Sequence, residues 1–200
     1  MEKSERSKLS ALLHTLKKRF ADNRQIILFP FIAFAIYFAL KEAFWAYAGL
    51  VDPGGTVYSP FLAKYNLIQV ILDCLVYPIK FILNSLGFET ITFGNQVSIK
   101  GAGGVRIFFP CLGVEMMIAL VALIIAYPVK RKKLVFIILG IVAIHLLNIA
   151  RLLSIIYASS KYPGKTSVFH DYFNDVAYLV AFFFFYLWLI YVSPKEKEKK

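Results

Sequence analysis

Residues 111–157 read CLGVEMMIALVALIIAYPV, KRKK, LVFIILGIVAIHLLNIARLLSIIY: two apolar runs, Cys111 to Val129 and Leu134 to Tyr157, separated by four consecutive cations. A bilayer core takes about 20 apolar residues of helix, so each run is long enough to cross. The cations between them mark a cytoplasmic loop. Two crossings joined by a basic turn make this a polytopic membrane chain. Working outward, Ile26 to Ala48 is apolar except for Lys41 and Glu42, and Val176 to Val192 carries no charge, which brings the qualifying runs to four. Of the 200 residues 59% are hydrophobic, well above the roughly 45–50% of soluble domains. Two cysteines, Cys74 and Cys111, are too few for a disulfide scaffold. The net charge of +11 sits in short blocks rather than in a stripe interleaved with aromatics, so nucleic acid is not the partner.

Those blocks orient the chain. Of 23 Lys and Arg residues, seven lie in 1–25, four in 130–133 and four in 193–200. Holding all three blocks in the cytoplasm leaves loops 49–110 and 158–175 outside. A fifth apolar stretch, Asn66 to Phe88, would break that parity if it crossed. Its polar residues Asn66, Gln69, Asp73, Lys80 and Asn84 fall on one helical face, the pattern of an interfacial helix with the stripe in water and the apolar side in lipid. The alternative is a tilted spanning helix whose polar face lines the bundle.

Residues 1–25 form a basic amphipathic cytoplasmic segment, with Leu9, Leu12, Leu13, Leu16 and Phe20 at helical spacing. Ala46-Tyr47-Ala48 resembles a cleavage site, but the leader and apolar run are too long for a signal peptide, so the first span is an uncleaved anchor. Residues 26–192 form the membrane domain, and 193–200 are a charged cytoplasmic tail. Thr90 to Phe93, Gly94-Asn95 and Val97 to Ile99 read as an external β-hairpin. The expected fold is an all-α polytopic membrane protein with four to five transmembrane helices, an interfacial amphipathic helix and that hairpin.

Ionisable residues inside spans cost several kcal/mol unless partnered, so each one marks a candidate site. In Phe109-Pro110-Cys111-Leu112-Gly113-Val114-Glu115, Pro110 suits a helix start. That puts Cys111 in the first turn at the outer surface, where the helix dipole favours a thiolate. Glu115, four residues on, would share its face and orient a cation. An isolated cysteine is otherwise a small buried hydrophobe, the reading that suits Cys74. A Cys74–Cys111 disulfide is geometrically open and would consume the thiol. His145, Asn148 and Arg151 share one face of the next span, and Arg151 needs a partner such as Asn148 or Glu115. His170, with Asp171 and Asp175 nearby, precedes the last span on the side of Cys111. It can titrate near neutral pH and shuttle a proton; His145 is the rival base, nearer mid-membrane. Cysteine, arginine and histidine on one membrane face suit attack on a carbonyl, oxyanion stabilisation and proton transfer.

At these residues the sequence resembles the exosortase/archaeosortase family of membrane cysteine transpeptidases. The resemblance covers roughly 65–190 and rests on Cys111-Leu112-Gly113, Asn148 with Arg151, His170, and the approach through Leu86-Gly87-Phe88 and Gly94-Asn95. Leu112 stands where the family usually has a small residue, and Phe173-Asn174 where a glycine is often found. The resemblance implies catalytic Cys111, Arg151 and His170, with Asn148 and Glu115 in support. It implies cleavage of a C-terminal sorting signal on exported proteins at the outer face of a bacterial plasma membrane, with transfer to a surface glycan, a lipid or water. No cofactor or metal is expected; the glycines at 101–104 lack the Lys and helix of a nucleotide loop. The competing class is a non-enzymatic transporter or assembly scaffold in which Glu115, His145 and Arg151 are structural or ion-handling.

Overall fold

The computed structural model describes residues 24–54, 57–129, 132–161 and 166–192; for 25, 26, 110 and 166–174 the backbone alone is described. The expected amphipathic N-terminal segment, Lys130 and Arg131, and the tail after Val192 lie outside the described residues. The elements in chain order are α1 (Arg24–Val51), α2 (Pro60–Ala63), α3 (Leu67–Ser85), β1 (Thr90–Phe93), β2 (Gln96–Ile99) and β3 (Gly104–Arg106). A 3-10 turn (Phe109–Leu112) then leads into α4 (Val114–Ala126), α5 (Lys133–Lys161) and α6 (Thr166–Val192). The chain is a multi-pass, predominantly helical membrane protein: segments 27–51, 60–85, 133–161 and 175–192 are each long and apolar enough to cross a bilayer.

The run Cys111 to Val129, expected as a full span, departs from that expectation. Its helix α4 has 13 residues, about 20 Å at 1.5 Å per residue, against the ~30 Å of a bilayer core. The reason is local. The chain turns in a 3-10 conformation until Gly113, and Tyr127 and Pro128 end the helix at the other side. Lys133 Nζ closes that end by donating to the carbonyls of Ile125 (2.8 Å) and Tyr127 (2.7 Å), orphan acceptors that a cation at a helix C-terminus satisfies.

Two cores stack along the bundle. At the basic end, which carries Lys132 and Lys133, Met116, Leu120, Ile124, Ile144, Ala177, Ala181 and Trp188 interlock α4, α5 and α6. Phe29 of α1 packs edge-on against Tyr127 at 5.4 Å, and Tyr127 against Trp188 at 5.7 Å, which sets the axial register there. At the sheet end, Leu72, Leu75, Ile79 and Leu83 of α3 pack with Val97, Ile99, Leu112, Leu152 and Ile156.

Helix α3 is amphipathic as expected, but its apolar face is turned into this protein core, whereas the interfacial reading put it in lipid. Both its ends are anchored in the sheet half: Leu67 N–H donates to the Tyr47 hydroxyl (3.0 Å), and Phe88, just past the helix, meets Tyr157 edge-on at 6.5 Å. The expected hairpin is present, with Thr90 to Phe93 paired antiparallel to Gln96–Ile99. Gly94 at φ +55° opens its two-residue turn, a conformation for which glycine has no steric cost. The structure adds a third strand, with Val97 opposite Val105 and Ser98 opposite Gly104. Asn95 ties this sheet to the Cys111 segment: its Nδ2 donates to Ile107 O (2.8 Å), and Ile107 N–H donates back to Asn95 O (2.8 Å). The fully buried Ile107 then fixes where the chain enters the 3-10 turn.

Candidate active site around Cys111

Cys111 lies in the 3-10 turn rather than in the first turn of the spanning helix. Phe108 is extended, Pro110 fixes the start of the turn, and Cys111 N–H donates to Phe108 O at 2.8 Å. Gly113 follows at φ +74°, a left-handed conformation in which a Cβ would lie 3.2 Å from Asn148 Nδ2. Gly113 therefore does two things. It switches the chain from turn to helix, and it lets Asn148 approach the main chain. Leu112 is fully buried in the sheet-end core, and truncating such a side chain costs about 2–5 kcal/mol. A bulky residue after the cysteine thus anchors the turn from beneath. Cys111 itself is half-buried and both cysteines are free thiols, so the disulfide that the sequence left open is not formed.

The same face of α5 that the spacing marks out meets this turn. Asn148 Nδ2 donates to Cys111 O at 2.8 Å, and Asn148 Oδ1 accepts from Arg151 Nη1 at 3.4 Å. Asn148 is 5% exposed and Arg151 2%. A buried guanidinium is tolerated only with hydrogen-bonded partners, and here it belongs to a chain that runs from Arg151 through Asn148 to the backbone of Cys111. The Cys111 turn sits midway along α5, 13 residues or about 20 Å from Lys161. The site is sunk into the bundle, not laid on its surface.

Glu115 departs from its expected place. Because Gly113 interrupts the helix, the four-residue spacing from Cys111 no longer means a shared face. The Glu115 carboxylate instead accepts from Trp45 Nε1 at 3.2 Å and lies 3.8 Å from Lys41 Nζ, both on α1. Lys41 and Trp45 were not singled out in the sequence. The available signal was Lys41-Glu42, the only charged pair in an otherwise apolar run.

His145 is also placed by the fold. Pro78 has no N–H, which leaves the carbonyl of Cys74, four residues earlier, without its helical donor. His145 Nε2 lies 3.2 Å from that carbonyl and supplies the missing hydrogen bond, so its Nε2 carries the proton. This role is structural, locking α3 to α5. His145→Ala is expected to cost about 1–2 kcal/mol of stability, read as a lowered Tm in detergent, while the Cys111 turn stays intact. His170 is the fifth residue of α6, and its side chain, like that of Asp171, lies outside the described residues. Seven residues further on, Ala177 packs in the cluster that holds Met116 and Ile144. The backbone at His170 is therefore about 10 Å nearer the sheet end than that cluster. Among the described residues no group of three His, Cys, Asp or Glu side chains could hold a metal ion.

A turn that carries a half-buried cysteine, hydrogen-bonded through its main chain to a buried asparagine and arginine inside a multi-pass bundle, defines a membrane protein with a buried polar site. The family model for transmembrane exosortase (Exosortase_EpsH) matches residues 56–187, which include Cys111, Asn148, Arg151 and His170, and the chain belongs to that family. No curated protein and no solved structure matches the chain.

Proposed function

We propose that the protein is a membrane cysteine transpeptidase or protease that cleaves a C-terminal sorting signal of exported proteins through a thioester on Cys111. The observation that carries this reading is the hydrogen-bonded chain from Arg151 through Asn148 to the Cys111 carbonyl, which ties the backbone of the cysteine turn to a buried cation. The Cys111 thiolate attacks the scissile carbonyl, a C–S bond forms, and Arg151 stabilises the oxyanion. As the C–N bond breaks, His170 gives its proton to the leaving amine. An acceptor hydroxyl, amine or water then attacks the thioester, its proton passes to His170, and the C–S bond breaks to release the Cys111 thiolate. Asn148 acts as a positioning residue and Glu115 supports the wall formed with Lys41 and Trp45. Incubation of the purified protein with a candidate substrate, quenched in acid, should yield a covalent adduct on Cys111 that hydroxylamine releases. Processing without any hydroxylamine-sensitive adduct would count against the thioester.

The base is tested separately. His170→Ala is expected to abolish processing at normal protein abundance, whereas His145→Ala, which removes only the Cys74 lock, keeps substantial activity in a quantitative processing assay. The reverse ranking transfers the role to His145.

In this reading the protein sits in a bacterial plasma membrane with both termini in the cytoplasm. The basic end faces inward and the sheet end outward. Phe93, 84% exposed at the hairpin turn, is the natural reporter. In a background lacking Cys74 and Cys111, Phe93→Cys is expected to react with an impermeant thiol reagent on intact cells and Ser193→Cys only after permeabilisation. Labelling of Phe93→Cys only after permeabilisation would invert the assignment.

A further inference from the structure

On the basic side of the Cys111 turn, a cavity of about 420 Å³ runs between α1 and α6. Its floor is the α4 surface at Ala119 and Ala122, with Ala33 beside them, and its walls are Phe29, Phe34 and Phe182. Phe34 and Phe182 are exposed, so the groove opens sideways onto the surrounding hydrocarbon. Its upper end is polar. Tyr37 and Tyr178 line it there, and one turn further along α1 Lys41 stands 3.8 Å from Glu115, with about a third of each side chain exposed.

Three observations select the occupant. From Lys41 to Phe29 is 12 residues of α1, about 18 Å, close to the ~15 Å of one leaflet's hydrocarbon. Helix α4 is too short to span the full core, so the polar boundary of the bilayer descends on this face toward Glu115 and Lys41. The Lys41–Glu115 ion pair at the top is partly open, and its cation and anion complement the phosphate and ammonium of a zwitterionic head group. We infer that this groove is a binding site for one acyl chain of a zwitterionic, amine-headed glycerophospholipid, with its phosphate on Lys41 and its ammonium on Glu115. Trp45 bonds Glu115 and packs edge-on against Phe109 at 6.2 Å, which sets the head group beside the Cys111 turn. The site stands on geometry and does not depend on the acyl-transfer reading.

The test uses the full chain in a Cys111→Ala background, without substrate, so that its failure is distinguishable from failure of the proposed reaction. Protein is extracted from nanodiscs of equimolar phosphatidylethanolamine and phosphatidylglycerol, and retained lipid is counted by native mass spectrometry. Retention of one phosphatidylethanolamine at least tenfold over phosphatidylglycerol is expected. Ala119→Phe, which fills the groove, should reduce retention at least tenfold, whereas Ala35→Phe, on the exposed face of α1, should not. Glu115→Gln should erase the preference between the two lipids. Equal retention of both lipids by the unsubstituted groove, or undiminished retention by Ala119→Phe, overturns the proposal. A second measurement guards against misfolding of the filled variant: benzoylphenylalanine at position 34 should crosslink to a lipid on irradiation. A crosslink to polypeptide alone, or no lipid adduct, overturns it equally.

Discussion

Cys111→Ser is expected to abolish product formation while leaving the protein folded and at normal abundance. The serine hydroxyl is nearly isosteric with the thiol and leaves the surrounding contacts in place. The bonds that hold the turn are made by the backbone of residue 111, its N–H to Phe108 O and its carbonyl from Asn148 Nδ2, and both survive the change. What is lost is nucleophilicity, because an alcohol is a far weaker nucleophile than a thiol or thiolate at neutral pH. Removing a covalent nucleophile from a site whose other parts remain typically costs a factor of ~10³ or more in rate. The measurement is a quantitative blot of processed against unprocessed substrate in cells, paired with membrane abundance of the variant. A scaffold or transporter predicts a silent substitution, so full processing by Cys111→Ser would sink the thiol mechanism.

Arg151→Lys is expected to lower the rate by on the order of 10²–10³, the usual effect of removing one oxyanion donor. Lysine keeps the positive charge, so the change does not remove the buried cation. It loses the planar guanidinium fork through which Nη1 holds Asn148 Oδ1. The amide of Asn148 is then no longer oriented from one side, and its grip on the Cys111 carbonyl loosens. The loss should fall on kcat, with KM for the substrate little changed, because the oxyanion exists only in the transition state. Unaltered Tm with lowered kcat supports the role; full activity would overturn it. Reduced abundance with normal specific activity would show that Arg151 is structural.

Much of this protein is written in local patterns. The number of apolar runs, the basic blocks between them, the Gly94-Asn95 hairpin and the shared face of Asn148 and Arg151 all follow from periods of two or 3.6 residues and from transfer energies that each segment carries alone. The same local logic failed where a backbone break intervened. The spacing of Cys111 and Glu115 implies one face only along a continuous helix, and Gly113 at φ +74° ends that continuity. Glu115 consequently turns to Lys41 and Trp45, some 70 positions away, and a run long enough to span becomes a 13-residue helix. The fate of the α3 apolar face was equally open, since lipid and a protein core offer an apolar side chain similar surroundings, and only the packed bundle chooses. His145 shows the point most directly. Its partner is a carbonyl 71 positions away, left without a donor by Pro78. By itself, then, the sequence determined the segments, their faces and the residues able to carry chemistry. The tertiary structure decided which of them meet, because contacts across 37 or 71 positions depend on how helices pack, and no periodicity within a single helix encodes that.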